Sequence, residues 1–210
     1  MRFKSIALVV TLGLALGACT TGTIMADYGS RKDAGYQLPA IPIQKVPQKY
    51  HRQIVKYSTK EKAGTIIVDT SAKHLYFVLP EGKAVRYGIG IGREGFGWAG
   101  IVEVGRKAEW PTWTPPAEMV ERDPNAAKWK DGMPGGPDNP LGARAMYLHE
   151  NGHDTIYRIH GTSQPWSIGL NISSGCIRMV NDEITDLYDQ VEIGAKVIVL
   201  LQGAALYKGV

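Results

Sequence analysis

From Gly64 onward the chain is a series of short apolar runs, each bounded by Gly, Pro, Asn or Ser. Thr65-Ile-Ile-Val-Asp69 and Lys73-His-Leu-Tyr-Phe-Val-Leu79 flank a turn containing Ser71, and Pro80-Glu-Gly82 leads into Lys83–Ile91. Ile101–Trp110 follows, and a final apolar run, Lys196–Gln202, reads as a buried strand. Arg144–His149 and Thr155–His160 surround Asn151-Gly152, a strong two-residue hairpin signal. A single convincing helix is predicted after Asn181, which reads as its N-cap. Asp182 and Glu183 occupy its first turn, Ile184, Leu187, Tyr188 and Val191 form an apolar stripe, and Gly194 stops it. Together these elements predict a mainly β domain, a curved mixed β-sandwich of short strands with one packed helix. Between Trp110 and Ala143 the texture changes to a long loop rich in Pro, Gly and Trp, the kind that serves as a lid or a binding loop. Its Trp110, Trp113 and Trp129 either contact a glycan or peptide or pin the loop to the sheet.

The first 18 residues have a different pattern. A basic start with Arg2 and Lys4, an apolar run and small residues before Cys19 describe a signal peptide rather than a membrane-spanning helix. Leu16-Gly17-Ala18-Cys19 resembles the bacterial lipobox, in which the Cys is lipidated; Thr20 after it points by that resemblance to the outer membrane. An incidental Cys19 behind a plain signal peptide is the alternative. Removing residues 1–18 lowers the net charge from +4 to +2 by loss of Arg2 and Lys4, too little to argue for nucleic acid. Residues 19–62, with Pro39, Pro42 and Pro47 spaced through them, read as a lipid-anchored flexible tether. The folded domain is expected over 63–203, with a tail at 204–210.

Two motif matches fail on their own physics. Gly90-Ile-Gly92-Arg-Glu-Gly95 fits the dinucleotide fingerprint, which needs a helix directly behind it to face the pyrophosphate. Phe-Gly-Trp-Ala-Gly follows instead, too glycine-rich for a helix. His149-Glu150-Asn151-Gly152-His153 fits the zinc-protease signature, which needs a helix to bring both imidazoles to one face. Asn-Gly at its centre is hairpin chemistry, so the three side chains are expected to diverge. A zinc hydrolase using them remains the less favoured alternative.

What remains is a base and a thiol. His160 ends a strand, and Cys176 lies in a Ser173-Ser174-Gly175-Cys176 turn after a Gly/Ser/Asn-rich loop. With Cys19 assigned to lipid, Cys176 has no disulfide partner, and a lone thiol in an exported protein is a candidate nucleophile. An adjacent imidazole supplies or stabilises the thiolate. Burial as a small hydrophobe is the bland alternative, and the loop chemistry around Cys176 argues against it. Strand alternation puts Ile156, Arg158 and His160 on one face. An extended chain past Cys176 puts Arg178 on the side of the thiol. Guanidinium groups suit carboxylate recognition, hence an anionic peptide substrate; alternatively they pair with Asp182 or Glu183.

His160-Gly161-Thr162, the loop after it, and Ser173-Ser174-Gly175-Cys176-Ile177-Arg178-Met179 with Asn181 resemble the L,D-transpeptidase catalytic domain (YkuD-like) family over residues 64–201. The resemblance implies a periplasmic cysteine acyltransferase acting on peptidoglycan tetrapeptide stems, without metal or cofactor and in contact with the membrane only through its lipid. Cys176 would be the nucleophile and His160 the base and then acid, oriented by the carbonyl of Gly161. Backbone N–H groups of Ser174, Gly175 and Cys176 would stabilise the oxyanion. Arg158, Arg178, Trp113 and Asn181 would contact substrate. The acceptor would be a second stem, a D-amino acid, an outer-membrane protein or water. Many members have His where this chain has Ser174, and that second His is not the base. A non-catalytic peptidoglycan-binding lipoprotein is the competing reading from another class.

Overall fold

The structure, a computed structural model, describes residues 27–93 and 97–200. The signal peptide, Cys19 and the tail at 204–210 lie outside the described residues. In chain order the elements are β1 (Arg31–Asp33), β2 (Tyr36–Leu38), β3 (Gln53–Lys56), β4 (Ile66–Asp69), β5 (His74–Leu79), β6 (Lys83–Gly88), β7 (Ile91–Gly92) and β8 (Gly100–Glu109). Then come α1 (Ala117–Arg122), α2 (Pro124–Ala127), β9 (Arg144–Glu150), β10 (His153–His160), β11 (Asn171–Ser173), β12 (Ile177–Arg178), α3 (Asn181–Gln190) and β13 (Lys196–Leu200). No helix among the described residues is long and apolar enough to cross a membrane.

Nine strands form one mixed sheet in the order β12-β10-β9-β8-β13-β4-β5-β6-β3, with β10/β12 and β13/β4 parallel and the other pairs antiparallel. Just past β6, Gly90 bridges to Arg178 in β12. In a flat sheet those strands would stand seven spacings, roughly 34 Å, apart. The sheet therefore curls until its two ends meet, and the main core fills the inside. Ile66 and Val68 of β4, Val197 and Val199 of β13, Ile184 and Leu187 of α3, and Val191 just after it all lie in that core. Ile67 and Ile198 face a second cluster on the outer side. The unbroken apolar runs of β4 and β13 are thus explained by burial on both faces.

The Asn151-Gly152 hairpin is present, with φ of 51° and 79° at its two central residues. Helix α3 also stands where expected, but Val180 is its N-cap and Asn181 is its first helical residue, with its side chain turned to another use. The 110–143 segment is not structureless. It holds α1 and α2, a backbone bridge between Trp113 and Met133, and a fully buried Asn139. The Asn139 amide nitrogen faces the carbonyls of Pro111, Met133 and Pro134, and its oxygen accepts from Leu141 N. One side chain thereby satisfies the backbone of a loop with little ladder bonding of its own.

The flexible-tether reading needs correction over 27–62, which is folded onto the domain. Pro39, Pro42 and Pro47 restrict the backbone between Leu38, Ile41, Val46 and Tyr50, all of which are buried. Composition suggested a linker because these anchors are few and irregularly spaced. Polar contacts add to them. Tyr28 donates to Glu183 Oε1 (2.9 Å), Arg31 pairs with Asp182, and Arg52 pairs with Asp186 at 2.7 Å. Asp33 holds both terminal nitrogens of Arg144 at 2.7 and 2.8 Å and accepts from the indole of Trp110. Burial alone would raise the Asp33 pKa, but the hydrogen bonds and charge of Arg144 outweigh it and hold it below its usual range. Asp33→Ala leaves Arg144, 5 % exposed, without its close carboxylate. The expected cost is about 3 kcal/mol. Thermal unfolding should show it as a Tm lowered by roughly 6–12 °C; an unchanged Tm would mean that the N-terminal segment contributes nothing through this pair.

Candidate active site

The site is assembled by the register of three strands. In the parallel β10/β12 pair, Ile159 lies beside Ile177 and His160 beside Arg178. Both isoleucines point into the core. One step back, the same register sets Cys176 beside Arg158, and the Arg158 backbone N–H faces the thiol. Cys176, Arg158, His160 and Arg178 therefore share the opposite face. Diagonal neighbours on such a face stand about 7–8 Å apart at their backbones, a gap that a thiol and an imidazole can close. A bulge between Asp154 and Arg158 makes this register possible. Ile156 adopts a φ of +62° there, rare for a β-branched residue, while Asp154 Oδ1 holds its N–H. Ile156 thus breaks the expected alternation and is exposed, whereas Arg158 and His160 keep it.

His160 is 4 % exposed, and its Nδ1 lies 2.5 Å from the carbonyl oxygen of Gly161. A carbonyl only accepts, so the proton of the neutral ring sits on Nδ1 and Nε2 keeps its lone pair. Burial, reinforced by the charge of Arg178, brings the imidazole pKa down to about 4 despite its contacts with the carbonyls of Gly161 and Leu141. For Cys176 burial pushes the thiol up, against the lowering influence of the Arg158 N–H and of both guanidinium charges. Burial thus favours the neutral form of both the thiol and the imidazole.

The thiol is presented by a tied turn. Ser173 donates to the carbonyl of Cys176 (2.6 Å) and accepts from Gly175 N (3.2 Å), and Gly175 takes a φ of +107° that favours glycine. With its N–H given to Ser173, Gly175 is not free to serve as the expected oxyanion donor. The indole of Trp98 donates to the Gly175 carbonyl at 3.3 Å and stacks on Tyr157 with centroids 4.6 Å apart. Ser174 is exposed at the tip.

The two arginines differ. Arg158 gives its fork to Asp154 at 2.7 and 2.9 Å and lies over the Tyr147 ring, so its guanidinium serves the fold rather than a substrate carboxylate. Arg178 has no carboxylate partner among the described residues, its Nε is buried without a hydrogen bond, and desolvation lowers its pKa. Neither one balances Asp182 or Glu183, which are served by Arg31 and Tyr28. Asn181 is 2 % exposed with its oxygen committed to Ala143 N, which excludes the direct substrate contact expected of it. Trp113 pairs through its backbone with Met133. Of the other loop tryptophans, Trp110 is buried and pins the loop, whereas Trp129 is exposed. Ser173, Trp98, Tyr147 and Leu141 went unpredicted. Ser173 was visible beside the Cys, while the rest depend on register and on long-range folding.

The two discarded motifs sit in strands. Gly90 and Gly92 pair with Arg178 and with β11, and Gly95 lies outside the described residues. His149 stands across from Asp154 and Glu150 across from His153 in the β9–β10 hairpin, not along one helix face.

Over residues 63–199 the sequence matches the YkuD family, the L,D-transpeptidase catalytic domain. The chain belongs to that family. Among curated relatives, the Escherichia coli (strain K12) "Probable L,D-transpeptidase ErfK/SrfK" is 37 % identical over 157 residues, covering 72 % of this chain and 48 % of that protein. "Probable L,D-transpeptidase YbiS" of the same strain is 36 % identical over 139 residues, covering 63 % and 43 %. The chain spans about half the length, or less, of these two relatives. A solved Brucella melitensis structure described as a "Probable carnitine operon oxidoreductase caia" is 46 % identical, with a TM-score of 0.51, and covers 76 % of this chain and 99 % of that one. Family membership fits the β-rich fold and coincides with the segment that carries His160 and Cys176.

Proposed function

We propose that the protein is a peptidoglycan L,D-transpeptidase in which Cys176 attacks the carbonyl of the diaminopimelate–D-Ala bond of a tetrapeptide stem. The observation that supports this reading is the β10/β12 register, by which Cys176 and His160 fall on the same face of neighbouring chain segments. As sulfur attacks, its proton passes to Nε2 of His160, held in position by the Gly161 carbonyl. N–H groups of Ser174 and Cys176 are the proposed oxyanion donors, since that of Gly175 is taken. The imidazolium then protonates the departing amine of D-Ala, leaving a thioester. An amine of a second stem, a D-amino acid or a protein resolves it, with water giving a carboxypeptidase outcome. His160 takes the proton of the incoming nucleophile and returns it to sulfur, so the cycle closes without a metal. Arg178, uncompensated and partly buried, is the proposed partner of a substrate carboxylate.

Incubation of the protein with disaccharide-tetrapeptide, followed by mass spectrometry, should show D-Ala release or dimer formation unaffected by chelator. Binding without turnover would favour the non-catalytic lipoprotein reading, and loss of turnover with chelator would favour a zinc hydrolase. Periplasmic anchoring through lipid on Cys19, in the outer membrane, belongs to the same proposal, and Cys19→Ser should release the protein from membranes.

A further inference from the structure

We infer that Asn181 is a positioning residue that bolts the end of the 110–143 loop, the His160–Gly161 peptide and the start of α3 into one unit, and so fixes the working tautomer of His160. The inference rests on the proposed role of His160 as base. Asn181 opens α3 without capping it, and its side chain runs inward, leaving the residue 2 % exposed. Its Oδ1 accepts the Ala143 N–H at 3.0 Å. The same oxygen is wedged between two glycines, since a Cβ built on either Gly142 or Gly161 would lie 2.2 Å from it. At Gly142 that Cβ would also meet Thr162 N at 2.6 Å and the Gly161 carbonyl carbon at 2.7 Å. Two backbones are therefore pressed together with one amide oxygen between them.

Both carbonyls that face the imidazole border this contact. Gly161 supplies the one 2.5 Å from Nδ1, and Leu141, immediately before Gly142, supplies the other. The Gly161 N–H is held by the Arg144 carbonyl at 3.0 Å, and the His160 carbonyl accepts from Met179 N at 2.8 Å. The His160–Gly161 peptide is thus tied at both its N–H and its C=O, and the next peptide, which carries the orienting Gly161 carbonyl, is pressed against Gly142 beside the Asn181 oxygen. Loss of that oxygen frees Ala143 N and lets the Gly161 carbonyl turn from the ring. The proton can then move to Nε2, where it blocks attack by the thiol.

The test compares Asn181→Ala, Asn181→Asp and wild type. In protein labelled with ¹⁵N-histidine, with the His160 signals assigned through His160→Gln, the ring nitrogens report the tautomer. Asn181→Ala should lose the pure Nδ1–H form. Its kcat should fall by about 100-fold, the scale of a small misplacement at the reacting groups, with KM nearly unchanged. Alkylation of Cys176 by iodoacetamide at neutral pH should slow as well. Asn181→Asp retains an acceptor for Ala143 N and should keep the tautomer, while its added negative charge moves the acid limb of kcat/KM to higher pH. That variant also serves if the alanine protein does not fold. An unchanged tautomer and alkylation rate in Asn181→Ala, with only Tm lowered, would overturn the inference. A raised KM at constant kcat would do so too, by pointing to substrate contact. Tautomer and alkylation need no substrate, so they judge the bolt even if the wild type shows no transpeptidation.

Discussion

Cys176→Ala should reduce D-Ala release from disaccharide-tetrapeptide by more than about 10⁴-fold, as expected when the nucleophile of an interdependent catalytic pair is removed. The turn that carries Cys176 is held by Ser173 and Trp98 through backbone carbonyls and the Gly175 N–H, so the fold does not depend on sulfur. Tm should stay near wild type, which separates lost chemistry from lost structure. Intact-mass spectrometry offers a direct view, because a thioester adds the acyl portion of the stem to wild type but not to the variant. Turnover surviving in Cys176→Ala would place the reaction elsewhere in the molecule.

The second large effect is on pH. With the His160 pKa at about 4, kcat/KM should stay level from near neutrality down to about pH 5 and fall only as pH drops through 4. An unperturbed imidazole would lose activity near 6.5. The sign follows from the neutral form being the base, so that protonation removes activity on the acid side. His160→Gln should cost about 10²–10⁴ in kcat and abolish this acid limb. A limb at 6.5 in wild type would contradict the buried, arginine-flanked environment of the ring. Stability responds to the same group. The unfolded chain protonates its His near 6.5 and the folded one only near 4, so His160 destabilises the fold progressively as pH falls between those values. Glu183 acts in the opposite sense. Burial raises its carboxyl to about 8, so the folded state keeps a proton that the unfolded state loses near 4.5, and stability is lost as pH rises from there toward 8.

Strands, hairpin and helix were legible in the sequence because apolar periodicity and Asn-Gly turn chemistry are local signals. The role of the Gly161 carbonyl was implied only by the family resemblance; that oxygen lies 2.5 Å from His160 Nδ1. Register was not legible. That Tyr147 lies under Arg158, and that Asp154 claims its guanidinium, depends on a bulge whose marker is a single positive φ at Ile156. Asn181 looked available as an N-cap because sequence alone does not show the two glycines, 20 and 39 residues upstream, that close around its oxygen. Residues 27–62 escaped for a related reason, since their anchors pair with Arg144 and with the first turns of α3, more than a hundred residues away.

The packing of residues 27–62 sets a length scale. If Cys19 carries lipid, nine steps of chain join it to Tyr28, whose hydroxyl is tied to Glu183, so the anchor lies at most about 32 Å of chain from that contact. A free chain from Cys19 to Lys62 would extend to roughly five times that. On the proposed reading, the domain would be confined to the layer of wall nearest its membrane, and inserting residues between 19 and 27 would widen the zone it can reach.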